Sequence, residues 1–324
     1  MPDLTYRDAL KSTLVEEMDR DPRVLLMGED IGVYGGTFLV TEGLLARYGP
    51  KRVIDTPISE AGFIGCGIGM AMLGLRPVIE VMTWNFSLIA ADQIIQNAAK
   101  IRYFSGGQAG VPMVIRGPNG AGVQLSAQHS QALEALYGYF PGLYVAAPAT
   151  PADARGLLRT AIRASDPVIF LENASLYGLR GEVPDGDYVV PFGRAAVARH
   201  GRDVTLVTHG RTLHMTLAAA AHLAADGVEC DVIDLRTLRP LDMATVVESV
   251  RRTHRAVVIE DQGGLYGVAG EVMAGIYERA FDDLDAPVVR VSGEDVPMPY
   301  ARTLELLAQP NEAKIVEAVR RTVA

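Results

Sequence analysis

The sequence predicts an α/β protein of two domains, each a mainly parallel sheet covered by helices. Short apolar runs alternate with longer helix-forming segments along most of the chain, the order of strand-helix-strand units. That pattern is interrupted once, from Gly178 to Arg202, where Gly, Pro, Asp and Arg dominate, and then resumes. At 324 residues, with 49% hydrophobic residues and a mean hydropathy of +0.16, the chain is longer than one average domain and can bury a large core. The boundary is therefore placed between 1–190 and a smaller second domain, 191–324.

Taken in order, Thr5 to Asp19 forms an amphipathic helix opened by a capping-box-like Thr5-x-x-Asp8, and Val24 to Met27 a buried strand. The loop GEDIGVYGGTF leaves that strand's carboxyl end, where open α/β sheets bind ligands. Arg52 to Ile54 is a short strand, Thr56-Pro57 turns the chain, and Ser59 is placed to cap a helix that begins at Glu60. Val78 to Met82 is a strand, followed by Thr83-Trp84-Asn85-Phe86 and a helix from Ser87 to Arg102. Val111 to Ile115, Leu143 to Ala146 and Val168 to Leu171 continue the sheet, with a helix from Pro151 to Ala164. In the second domain, strands at Val204–Val207, Glu229–Ile233, Ala256–Ile259 and Val288–Val291 alternate with helices at Leu213–Ala225, Met243–Thr253, Val268–Phe281 and Glu312–Thr322.

Composition excludes several classes. A net charge of −9 and a pI near 5.2 argue against a nucleic-acid surface and for basic partners, if the partners are charged. Cys66 and Cys230 are the only cysteines, without Cys-x-x-Cys, so a reducing compartment is expected. The N-terminus has no apolar signal core, and Ala61 to Leu75 is too short and Gly-rich to span a bilayer. A cytoplasmic chain is the expectation; a mature organellar chain has the same features. Gly65-x-Gly67-x-Gly69 lies inside a helix with the wrong third spacing for a dinucleotide site, no phosphate-loop signature or Gly-x-Ser-x-Gly occurs, and the histidines lack zinc spacing.

The stretch that organises the chain is RVIDTPISEAGFIGCGIGMAMLGLRP, residues 52–77. It puts the Glu60 carboxylate at a strand-to-helix junction. The helix behind it has small residues at 61, 62, 65, 67 and 69, although Gly in a helix interior costs roughly 1 kcal/mol relative to Ala. Close packing of another backbone on that helix is the expectation. Read alone, Glu60 is equally well a first-turn carboxylate favoured by the helix dipole. His129 lies in a long Gly-rich loop at the carboxyl end of a strand, and a histidine side chain suits proton delivery or anion stabilisation at neutral pH. A structural loop histidine has the same signature. Trp84 and Phe86 offer flat apolar surface beside that sheet edge, or ordinary core packing.

DTPISEAGFIG resembles the segment that carries the activating glutamate in beta subunits of the decarboxylating component of 2-oxo acid dehydrogenase complexes, thiamine diphosphate enzymes of the transketolase superfamily. GEDIGVYGG, GLRPVIE, IRYFSGG, RGPNGAG, AQHSQ, DAPVVR and DVPMPY also resemble blocks of that family, in order and over nearly the whole chain. Within the family the agreement is best with pyruvate-specific members. The resemblance implies a pyrimidine-binding transketolase-like domain followed by a transketolase-type C-terminal domain. It implies decarboxylation of pyruvate with transfer of the acetyl group to lipoyl groups, and branched-chain 2-oxo acid or acetoin enzymes share the pattern. A non-catalytic α/β binding module is the remaining alternative.

The resemblance also assigns residues. Glu60 and His129 would be catalytic, with Glu60 at the pyrimidine ring and His129 serving acyl transfer; Glu29, Ile58, Glu60 and Phe86 would contact thiamine diphosphate. Met113, Ala161, Ile162, Ala164 and Asp166 match positions that hold potassium in related enzymes, where a helix end leaves carbonyls unpaired. No Gly-Asp-Gly occurs. Magnesium and the diphosphate would therefore be held by an alpha subunit in an α2β2 heterotetramer, and the C-terminal domain would dock on the dihydrolipoamide acyltransferase core.

Overall fold

The computed structural model describes residues 1–324 apart from the side chain at position 262. The chain forms two compact units, one of Met1–Asn119 with Leu136–Phe192, the other of Gly120–Ala135 with Gly193–Ala324. The change of unit falls inside the Gly- and Pro-rich stretch of the sequence. The loop at 120–135, which carries His129, packs with the second unit although it lies between strands of the first.

In the first unit the strands run side by side in the order Tyr144–Ala146, Val168–Glu172, Val114–Pro118, Arg76–Glu80, Val24–Gly28 and Val53–Asp55. All of these pairs are parallel. Val24–Gly28, Val114–Pro118 and Val168–Glu172 are buried at every position, as strands covered on both faces must be. The helix Tyr6–Arg20 starts as its sequence indicates: Thr5 Oγ1 accepts from the Asp8 N–H at 3.0 Å. Its apolar face, with Tyr6, Leu10 and Leu14, packs on Leu157, Leu158 and Ala161 of the helix Pro151–Arg163. Asp3–Thr5 pairs antiparallel with Arg180–Glu182, tying the two ends of the unit together.

The topology fixes where a site can form. From Val24–Gly28 the chain moves to the neighbour Val53–Asp55 on one side, then crosses to Arg76–Glu80 on the other. That reversal opens a crevice at the carboxyl ends of these strands, the usual ligand position in parallel sheets.

The segment after Phe86 departs from expectation. Instead of one helix from Ser87 to Arg102, it forms a tight three-residue-per-turn segment at Trp84–Ala90, a wide turn at Gln93–Ala98 and a short helix at Ile101–Phe104. In the wide turn the Ala99 N–H reaches back to Ile94 O at 3.0 Å, and Ile94, Ile95 and Ala98 are all buried. Core packing therefore overrides the regular helical spacing.

The second unit has strands in the order Val289–Gly293, Ala256–Gly263, Val204–Thr208 and Cys230–Asp234, all parallel. Ala196–Arg199 joins antiparallel at the Cys230–Asp234 edge. The helices Thr212–Ala225, Met243–Thr253, Val268–Ala280 and Glu312–Val323 accompany them. No described helix is long and apolar enough to cross a membrane.

Candidate active site

Loops from adjacent strands of the first unit carry Glu29, Ile58, Glu60 and Phe86. Glu29 follows Val24–Gly28 directly, Ile58 and Glu60 follow Val53–Asp55, and Phe86 follows Arg76–Glu80. Glu60 is the first residue of the helix Glu60–Met72 and is only 3% exposed; Glu29 is 5% exposed. Two carboxyl groups thus share a dry position. Burial first, and the charge of Glu60 second, push the Glu29 carboxyl up to about 7, while the Ser59 N–H bonded to it pulls the other way. Glu29 Oε1 is buried without a hydrogen-bond partner. Beside them Ile58 is 81% exposed and Phe86 half-buried.

Ser59 corrects the sequence reading. It occupies the N-cap position, but its hydroxyl donates to Pro57 O at 3.2 Å and caps nothing. Its backbone does the work instead. The carbonyl accepts from the Gly62 and Phe63 N–H groups at 2.8 and 3.0 Å, and the N–H bonds to Glu29.

The small residues of the Glu60–Met72 helix divide into two groups. A Cβ at Gly67 would lie 2.9 Å from Ile79 Cδ1, so this position faces the sheet closely and a larger residue would have to push that side chain aside. Nothing lies within 4 Å of a Cβ at Gly69, and one at Gly62 would meet only Ser59, at 3.4 Å. Gly62, Cys66 and Gly69 lie on an exposed face of the helix.

Two supports were not legible in the sequence. Asp55 Oδ1 and Oδ2 accept from the Gly32 and Val33 N–H groups at 2.6 and 3.1 Å, holding the loop that begins at Glu29. Beneath the same edge, Arg116 is fully buried and donates through Nε and Nη2 to both oxygens of Glu172, at 2.6 and 2.7 Å. Its Nη1 pairs with Glu80, and Tyr177 donates to Glu172 Oε2 at 2.7 Å. Burial raises the Glu80 carboxyl against the pull of Arg116, and raises the Tyr177 hydroxyl well above its usual range. A Cβ at Gly36 would meet Glu80 Oε1 at 2.6 Å, so the network also shapes the Glu29 loop. The sequence signal was the charge of Arg116, Glu80 and Glu172 within or at the end of largely apolar strands.

His129 is half-buried in a turn at Ala127–His129 of the second unit. The remaining candidates cluster at the end of Pro151–Arg163. There Arg76 Nη1 donates to the carbonyls of Ile162 and Ala164, both at 2.9 Å. Met113 O accepts from the Val168 N–H at 2.9 Å, Ala161 O from Ala164 at 3.2 Å, and Asp166 pairs with Arg102. The unpaired helix end expected from the sequence is therefore answered by protein donors. Among the described residues, no group of three or more His, Cys, Asp or Glu side chains is placed to hold a metal ion.

Residues 3–180 match the family model for the pyrimidine-binding domain of transketolase, and residues 193–315 that for the transketolase C-terminal domain. Fold and site thus define a two-domain chain of the transketolase type. A solved chain described as "split gene transketolase, inactive beta4 tetramer" superposes with a TM-score of 0.79 at 26% identity, covering 99% of this chain and 98% of that one. The beta subunit of the pyruvate dehydrogenase E1 component of Rhizobium meliloti is 50% identical over 99% of this chain and 70% of its own length. The Arabidopsis thaliana mitochondrial subunit beta-1 is 51% identical (98% of this chain, 89% of that one), and the Rickettsia felis subunit 49% (98% of each). The chain belongs to the family of pyruvate dehydrogenase E1 component beta subunits.

Proposed function

We propose that this chain is the beta half of an enzyme that decarboxylates pyruvate oxidatively with thiamine diphosphate, passing the acetyl group to a lipoyl group. The observation that carries the reading is the buried Glu29–Glu60 pair at the carboxyl edge of the first sheet. Its unpartnered Glu29 Oε1, exposed Ile58 and half-buried Phe86 suit a flat ring with a hydrogen-bonding edge.

The cofactor, when bound, supplies the carbon nucleophile that attacks the 2-oxo acid. Glu60 holds a proton at the pyrimidine nitrogen, from a buried position at the start of its helix. Glu29 buffers the charge of that carboxyl, Phe86 and Ile58 flank the ring, and the strand-end network keeps the Glu29 loop in place. His129 serves the acyl-transfer half of the reaction as proton carrier.

The sequence lacks Gly-Asp-Gly, so the magnesium and diphosphate ligands are assigned to an alpha chain. The bare Gly62, Cys66 and Gly69 face supports a close chain-to-chain contact in an α2β2 assembly, and the solved split-gene neighbour is described as inactive when its beta chains assemble alone. The net charge of −9 favours docking of the C-terminal unit on a basic segment of the acyltransferase core, a contact that should weaken with salt; unchanged binding at high salt counts against it. A potassium ion on the carbonyls of Met113, Ala161, Ile162 and Ala164, with Asp166, would have to share the second lone pairs left by Arg76. Equal Tm in potassium and choline chloride counts against that ion.

The test is reconstitution with the alpha chain and assay with pyruvate, 2-oxoisovalerate and acetoin. Preference for pyruvate is expected. Preference for either of the others reassigns the substrate, and activity without thiamine diphosphate rejects the mechanism.

A further inference from the structure

We infer that Glu305 is a positioning residue, a buried carboxylate that fixes the loop carrying His129 by gripping its backbone. The inference rests on the role proposed above for His129. Glu305 belongs to the helix Arg302–Ala308 and is 3% exposed. A carboxylate is buried at a cost unless hydrogen bonds replace its water. Glu305 Oε1 accepts from the N–H groups of Gly122 at 3.2 Å and Gln124 at 3.1 Å. Such charge-assisted bonds are among the stronger ones a side chain makes.

The loop conformation explains why these amides are available. Gly120, Gly122, Gln124 and Ser126 have φ of 80°, 116°, 57° and 65°, so every second residue is left-handed. Alternation of this kind turns successive N–H groups towards one point and creates a concavity for an anion. Glu305 is that anion. Gln124 and Ser126 carry side chains and pay for the left-handed backbone, a conformation that persists only where the surroundings enforce it.

The grip lies close to His129 along the chain. Immediately after Ser126 comes the turn Ala127–His129, whose last N–H donates to Ser126 O at 3.3 Å. The base of the loop is closed by the Gly120 N–H on Gln131 O at 3.1 Å. Arg211, whose Nε donates to Asp261 at 2.7 Å, also lies within electrostatic reach of Glu305 and balances its charge. Releasing Glu305 would free the strained part of the loop and let the imidazole wander, without removing any group that takes part in the chemistry.

The experiment uses the assembled enzyme with Glu305→Ala, Glu305→Gln and His129→Ala. Amide exchange at Gly122 and Gln124 should accelerate by on the order of tenfold in Glu305→Ala, and Glu305→Gln, which keeps an accepting oxygen, should stay within about threefold of wild type. Decarboxylation measured with an artificial electron acceptor and transfer measured with a lipoyl domain should fall in Glu305→Ala in the same ratio as in His129→Ala. Unchanged exchange in Glu305→Ala, or a ratio unlike that of His129→Ala, overturns the inference. If the role given to His129 is wrong, the ratio changes in both variants together, so the two failures are distinct.

Discussion

Glu29 and Glu60 are both buried at the carboxyl edge of one sheet, and the charge on Glu60 adds to burial in pushing the Glu29 carboxyl up to about 7. Near neutrality the pair therefore holds close to half a proton on Glu29. Two like groups in a dry place resist full ionisation, and the lone Ser59 N–H offsets this only in part.

The pair should make stability fall with rising pH. Glu29 titrates near 4.5 when unfolded and near 7 when folded, so between these values the folded state binds more protons. The stability this represents is complete below about 4.5 and lost as pH rises through about 7. Glu29→Gln should thus stabilise the chain at about pH 8 by about 1–2 kcal/mol, less than the whole shift because solvent screens part of it. Urea unfolding at both ends of the range checks this, and a gain independent of pH contradicts it.

Arg116→Met should leave Glu80 and Glu172 buried without their cation. Breaking a buried pair by removing one partner costs about 3–5 kcal/mol, far more than loss of an exposed pair. A large drop in Tm is expected, and a shift no greater than that of the exposed pair Arg180–Asp3 in Arg180→Ala would contradict the account.

Much of this architecture was legible in the sequence because its cause is local. Val24–Met27 and Val168–Leu171 are apolar throughout and became strands buried on both faces; Thr5 and Asp8 sit at capping spacing and cap. Glu60 could be placed at a helix start because Thr56-Pro57 breaks the chain just before it. What stayed hidden depends on partners distant in sequence. Arg116 meets Glu80 and Glu172 only once three strands are aligned, and Asp55 grips Gly32 and Val33 across a crossover. Ser59 has the residue type of a cap, yet the Glu29 carboxylate claims its N–H and its hydroxyl turns back on Pro57. The break after Phe86 follows from burying Ile94, Ile95 and Ala98 together, which no regular period announces. Glu305 was silent because its role is to fill a concavity built by a loop from elsewhere in the chain.

Glu60→Gln keeps the shape of the side chain but removes its acid. Decarboxylation by the assembled enzyme should fall by roughly 10²–10⁴-fold with the fold retained, the usual loss for one acid–base partner. Activity within a few-fold of wild type, in protein with unchanged circular dichroism, would remove Glu60 from the mechanism.

The central claim is that this chain carries one half of a cofactor site: a carboxyl pair and apolar flanks for a pyrimidine, without a Gly-Asp-Gly carboxylate for magnesium and diphosphate. Isothermal titration of the purified chain with thiamine diphosphate and magnesium, before and after addition of the alpha chain, tests it directly. The account predicts no binding tighter than roughly micromolar for the chain alone and tight binding once the alpha chain is present. Micromolar or tighter binding by the chain alone would contradict it.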